Sequence, residues 1–151
     1  MDKIRIRSKD WILVCDGSKA LFLRNDGDAQ DLNLVEVRTL INEGVPTHEL
    51  GADRPGKVHA SADGVRSAVE APDLHERQEE EFLANAAGET EADIRRGATQ
   101  RLLLIAPPRA LGFLRQHLGT ATQAALVAEI AKDYTKMPVR EIEARLQEEV
   151  R

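Results

Sequence analysis

Cysteine occurs once in the 151 residues, at Cys15, so no intramolecular disulfide can brace the fold and a metal site built mainly from thiolates is excluded. Aromatic residues make up 3% of the chain, too few to line a groove that grips single-stranded nucleic acid by stacking. No apolar run approaches the roughly 20 residues that cross a bilayer. Residues 1–10 alternate charge with isoleucine and lack the apolar stretch of a secretory signal, which predicts a cytoplasmic protein. The four histidines, His48, His59, His75 and His117, show no HxH, HExxH or HxxxH spacing, so a preformed metal site is not expected. Gly51, Gly56 and Lys57 do not complete a P-loop, and Ser18 and Ser61 lack a nucleophile elbow. No cofactor is expected.

What remains is an ordinary globular composition. With 42% hydrophobic and 31% charged residues, residues 1–151 form one domain of the usual size with a single core. Twenty-six acidic against 21 basic residues give a net charge of -5, which disfavours a general nucleic-acid coat protein. The charge is uneven: Lys3, Arg5, Arg7 and Lys9 alternate near the start, and Glu76, Glu79, Glu80 and Glu81 crowd the middle. Either cluster is a solvated face or a contact surface.

Hydrophobic patterning predicts the element order. Trp11 to Cys15 and Ala20 to Leu23 flank an Asp16-Gly17-Ser18-Lys19 turn as a β-hairpin. A third strand, Leu32 to Leu40, follows the Asn25-Asp26-Gly27-Asp28 turn. Residues 42–72 carry four glycines, three prolines and two histidines with almost no apolar periodicity, a loop long enough to be functional or disordered. A helix is expected from Asp73 to Arg96, with Leu74, Phe82, Leu83, Ala86 and Ile94 as its stripe, Gly88 as a possible break and Gly97 as its C-cap. Leu102 to Ala106 is a central strand covered on both faces, ended by Pro107-Pro108. Leu111, Leu114 and Leu118 recur at helical spacing, Leu126 to Ala131 is a strand, and Pro138 opens a helix presenting Val139, Ile142, Leu146 and Val150. The order βββ-loop-α-β-α-β-α implies a mixed sheet with helices on its faces, an α/β sandwich of two or three layers.

The segments WILVCDGSKALFLR, Asp53-Arg54-Pro55-Gly56-Lys57, LLLIAPPRALGFLR and EIAKDYTKMPVREIEARL, in this order along nearly the whole chain, resemble the bacterial host attachment protein family. That family resembles in turn the middle domain of archaeal and eukaryotic peptide-chain release factors and of the ribosome-rescue protein Pelota. The resemblance implies an RNase H-like sandwich, in agreement with the patterning. In true release factors it places a catalytic Gly-Gly-Gln in the loop between the third strand and the long helix. Residues 42–72 contain no glutamine, so peptide release in that form is not implied here. Attachment to host cells, which gives the family its name, is implied only as an indirect effect.

The candidate site residues are those of this loop. Asp53, Arg54, Gly56, Lys57, His59 and Arg66 combine cations with flexible glycines, a composition able to approach phosphates of the ribosome, tRNA or rRNA. Pro55 and Gly56 also fit a plain turn. The leading expectation is a non-catalytic module contacting RNA or the ribosome there. An alternative is a protein-interaction factor using the Glu76 to Glu81 face. A third is a peptidyl-tRNA or RNA hydrolase with Asp16 as a metal ligand and Asp133 or Glu129 as its partner, although an Asp-Gly turn selects aspartate by geometry alone. Trp11 and Cys15 are expected as core residues.

Overall fold

The computed structural model describes residues 4–44 and 61–149, with side chains in the second stretch from Leu74 onward. Three strands open the chain: β1 (Trp11–Cys15), β2 (Lys19–Asn25) and β3 (Leu34–Ile41). They are followed by α1 (Ser61–Arg95), β4 (Leu102–Ala106), α2 (Pro108–His117), α3 (Thr120–Ala125), β5 (Leu126–Ala131) and α4 (Val139–Glu149). The sheet runs β3-β2-β1-β4-β5. β1 pairs antiparallel with β2 and β2 with β3, while β1–β4 and β4–β5 are parallel.

Alternation along the strands divides the core into two layers. Trp11, Leu13, Cys15, Phe22, Leu102 and Leu104 face Phe82, Leu83, Ala86 and Ala87 of α1 and Leu111 and Leu114 of α2. Ile12, Val14, Leu21, Leu23, Leu103 and Ile105 face Ile142 and Leu146 of α4, together with Ile6, Leu32 and Tyr134. Every residue of β1 and of β4 is buried. The molecule is therefore a three-layer α/β/α sandwich, as the patterning anticipates, and β1, β4 and β5 coincide with the expected strands.

Three boundaries differ from expectation. The loop predicted over residues 42–72 is shorter, because α1 begins at Ser61 and runs 35 residues without a break at Gly88. At 1.5 Å per residue this helix is roughly 52 Å long, whereas strands of five to eight residues span about 17–27 Å. Its first turns fall in a segment with almost no apolar periodicity, so patterning does not reveal them. Pro72 lies inside the helix rather than ahead of it. Second, the short helix α3 fills the connection before β5, held by backbone bonds such as Gln123 N–H to Gly119 O at 2.9 Å. Third, β3 starts at Leu34, and Leu32 serves instead as a core residue whose N–H donates to Gln147 Oε1 of α4 at 2.9 Å.

Helix α1 ends as its sequence requires. Gly97 adopts φ +86°, Ala98 N–H donates to Asp93 O at 2.9 Å and Gly97 N–H to Ile94 O at 3.0 Å, a Schellman cap. Arg38 joins the edge strand β3 to α1: its guanidinium lies 2.6 Å from Asp93 and 3.2 Å from Glu89, over the Phe22 ring. Among the described residues, no helix is long and apolar enough to cross a membrane.

Two glycines give opposite tests. A Cβ on Gly88 would meet no atom within 4 Å, whereas one on Gly17 would come within 2.9 Å of Glu79 Cβ. Urea unfolding is expected to show Gly88→Ala stabilised by about 0.5–1 kcal/mol and Gly17→Ala destabilised. A gain in both would mean that α1 does not close over the Asp16-Gly17 turn.

Candidate functional site

The parallel strands β1, β4 and β5 release the chain on the same edge of the sheet, the carboxyl edge at which open α/β sheets commonly bind ligands. After β1 the chain reverses at Asp16. Its Oδ1 accepts from Ser18 N–H at 2.8 Å, Ser18 Oγ at 3.0 Å and Lys19 N–H at 2.9 Å, the Asx geometry that fixes such a turn. The Thr135 hydroxyl lies 2.8 Å from Asp16 Oδ2 and 2.8 Å from Asp133 Oδ1. A hydroxyl carries one proton, so the two carboxylates share it. Lys19 Nζ donates to Thr135 O at 3.3 Å. The first hairpin is thereby fastened to the loop after β5.

Asp16 and Asp133 are thus brought together, but Glu129 is not: it pairs with Arg115 of α2 at 2.7 Å. Both Asp16 oxygens already accept hydrogen bonds that hold the turn. Among the described residues no group of three His, Cys, Asp or Glu side chains could hold a metal ion. His75 and His117 are exposed, and His117 stacks on Phe113 with ring centres 4.3 Å apart.

Beside the turn a cavity of about 570 Å³ opens between α1 and α2. Glu76, Glu79 and Glu80 line it together with Arg109, and Leu83 and Phe113 add apolar surface. Arg109 reaches across to Glu76 at 2.8 Å. Sequence reasoning marks the glutamates but misses this cavity and Arg109, since its two sides lie about thirty residues apart. The only sequence signal was Pro107-Pro108-Arg109, a cation at the first turn of a helix leaving the central strand.

Of the candidate loop, Asp53, Arg54, Gly56, Lys57 and His59 lie outside the described residues, as does His48. Arg66 is on α1 rather than in a loop, by its backbone. Asn42 follows β3 at the same edge, donating through Nδ2 to Gly17 O at 3.0 Å and to Gln78 O at 3.2 Å. The segment that follows β3 therefore leaves from the carboxyl edge.

Two further ionisable groups have well-defined electrostatics. Burial, and secondarily the Asp16 charge, push the Cys15 thiol up to about 12, which makes it a core residue rather than a nucleophile. Glu91 caps α3, accepting from the Thr122 hydroxyl at 2.7 Å, Thr122 N–H at 2.9 Å and Ala121 N–H at 3.2 Å. The Thr122 hydroxyl bond, aided by those N–H groups and Arg95 against desolvation, holds its carboxyl down at about 2.

Residues 9–146 match the model of bacterial archaeo-eukaryotic release factor family 12, and the chain belongs to that family. Among curated proteins no sequence matches it. Among solved structures, an archaeal translation termination factor, aRF1, is similar with 13% identity and a TM-score of 0.49, over 92% of this chain and 36% of that one.

Two measurements check the local chemistry. Because folding depresses the Glu91 pKa, its stabilisation is complete above the ordinary glutamate range and is lost as pH falls from about 4.5 towards about 2. The urea midpoint of the native protein should fall more steeply over that window than that of Glu91→Gln; equal slopes would refute the capping role. A disulfide reagent at pH 8 should modify Cys15 only at the rate of global unfolding, and rapid labelling of the folded protein would contradict its burial.

Proposed function

From membership of this release-factor family we infer that the chain is a translation-associated, non-catalytic module whose basic segment contacts phosphates of ribosomal RNA or tRNA. The observation that carries this reading is the family match across residues 9–146. The segment concerned is Asp53, Arg54, Gly56, Lys57, His59 and Arg66, between the end of β3 and the first turns of α1. Arg54, Lys57 and Arg66 supply cations, and Gly56 permits close backbone approach. Since the whole chain carries a net charge of -5, attraction to a polyanion has to be local, and it should weaken steeply with salt. On this reading any effect on attachment of bacteria to host cells is indirect.

A second reading draws on the cavity between α1 and α2. Glu76, Glu79 and Glu80 beside Leu83 and Phe113 suit a protein partner that presents a cationic side chain on an apolar stem. It predicts association lost on reversing the glutamates rather than the basic segment.

Sucrose-gradient co-sedimentation with ribosomes separates the two. We expect comigration at low ionic strength, loss at high salt, and loss in an Arg54→Glu/Lys57→Glu variant with an unchanged urea midpoint. Protein that stays at the top of the gradient under both salt conditions would overturn the ribosome reading and leave the acidic cavity as the stronger surface.

A further inference from the structure

The opposite, amino edge of the sheet carries its own cavity, of about 270 Å³, between the turn that enters β1 and the connection from α1 to β4. Ser8, Lys9, Gly97, Thr99, Gln100 and Arg101 are among its lining residues. Lys9 is the only non-glycine among the described residues with positive φ, at 75°. A left-handed L-residue costs roughly 1–2 kcal/mol, and such strain persists only where the surroundings over-determine it. They do so here. Lys9 N–H donates to Asn25 O at 2.7 Å, Asp10 N–H to Arg7 O at 3.1 Å, and Asn25 N–H to Asp10 O at 2.8 Å. Arg7 N–H is taken by Asp10 Oδ2 at 2.7 Å. Glycine would satisfy this turn without strain, so what lysine adds at the position is its ammonium group.

The charge around the cavity is net positive. Asp10 also lines it, but its buried carboxylate is held by Arg101 Nε, 3.0 Å from each oxygen, which cancels one charge against another. Arg101 is locked further by donating from Nη2 to Arg5 O at 3.0 Å. Lys9 and its neighbours Arg5 and Arg7 are exposed, and none of the three forms an ion pair among the described residues. Arg24, paired with Asp26 at 2.6 Å, holds that carboxyl down with help from the nearby Lys9 ammonium, so Lys9 on the cavity wall and Arg5 and Arg7 just before it in the chain leave this corner net basic in a protein with net charge -5. The backbone N–H groups of Thr99 and Gln100 donate to no protein acceptor among the described residues, and a Cβ built on Gly97 meets nothing within 4 Å. Cations, a hydroxyl on Ser8, free amides and open backbone are the donors that a tetrahedral oxyanion requires. No aromatic side chain lines the cavity, so it has no means of stacking a base.

We propose that this amino-edge cavity is a phosphate-binding site, with Lys9 as its principal charge and Arg101 fixing its geometry, and that it recognises the phosphate group alone. Free phosphate and the phosphodiester of an RNA strand share that chemistry. The site is independent of the basic segment that follows β3 and would exist if that segment bound nothing.

The test is an amide-shift titration of the full chain by NMR, once with inorganic phosphate and once with an unstructured oligoribonucleotide. Saturable shifts are expected at residues 8–10 and 97–101. Lys9→Gly should bind at least tenfold more weakly while being more stable than the native protein, because glycine tolerates the turn. The Arg54→Glu/Lys57→Glu variant should bind with native affinity in this assay whatever its behaviour on ribosomes. Shifts with both ligands, or with phosphate alone, support a site for the free anion, and shifts with RNA alone support a phosphodiester site. Absence of saturable shifts with either ligand would overturn the proposal, and so would undiminished binding by Lys9→Gly.

Discussion

Burying β1 and β4 on both faces obliges the chain to supply an apolar helical layer above the sheet and another below it, and most other features follow from how it does so. Helices α1 and α2 cover one face, while α4 with Ile6, Leu32 and Tyr134 covers the other. The flanking strands are treated differently. β3 is only partly buried and carries Glu36 and Arg38, charges that discourage pairing of the open edge with another chain. Arg38 ties that edge to α1 through the buried Asp93. With both faces covered, the ends of the sheet are where loops meet and cavities remain, and both cavities described above lie at an end.

The two ends differ in charge, and this bears on how the molecule would meet a polyanion. The carboxyl edge bears Glu76, Glu79 and Glu80, whereas Arg5, Arg7 and Lys9 stand at the amino edge. Ser61 and Glu76 are fifteen residues apart on one helix, roughly 22 Å at 1.5 Å per residue. That exceeds twice the Debye length of about 8–10 Å at physiological salt. The start of α1 is therefore screened from those glutamates.

Strands were legible because their burial is a property of neighbouring residues. WILVC and LLLIA are continuous apolar runs, and both form strands buried on both faces with the boundaries the pattern predicts. Gly97 was readable as a helix stop for the same reason, since a left-handed C-cap depends on one residue. The start of α1 was not legible. Residues 61–72 carry almost no apolar periodicity, and Pro72 with Gly64 imitates a loop. Cavities were hidden for another reason: each joins segments far apart in sequence, Glu76 with Arg109 at one end and Lys9 with Arg101 at the other. The strain at Lys9 leaves no trace in composition, because lysine is unremarkable until its φ is known.

The contrast between the two ends comes from the partners chosen by two aspartates that bracket β1. Asp10 and Asp16 do the same local work, each accepting backbone N–H groups to fix a turn, and sequence alone gives no means of telling them apart. Asp10 is paired with a guanidinium through two 3.0 Å contacts, so its negative charge is spent and the neighbouring cations dominate. Asp16 is satisfied by a neutral hydroxyl that also bonds Asp133; Lys136 lies 3.8 Å from Asp133 and Arg109 2.8 Å from Glu76, so Asp16, Glu79 and Glu80 are the carboxylates that leave this end acidic. A turn aspartate bound by arginine leaves its end of the sheet basic, and one bound by threonine leaves its end acidic. Exchanging Arg101 for a neutral residue would therefore do more than loosen a turn: it would release a buried negative charge into a corner where cations prevail among the described residues.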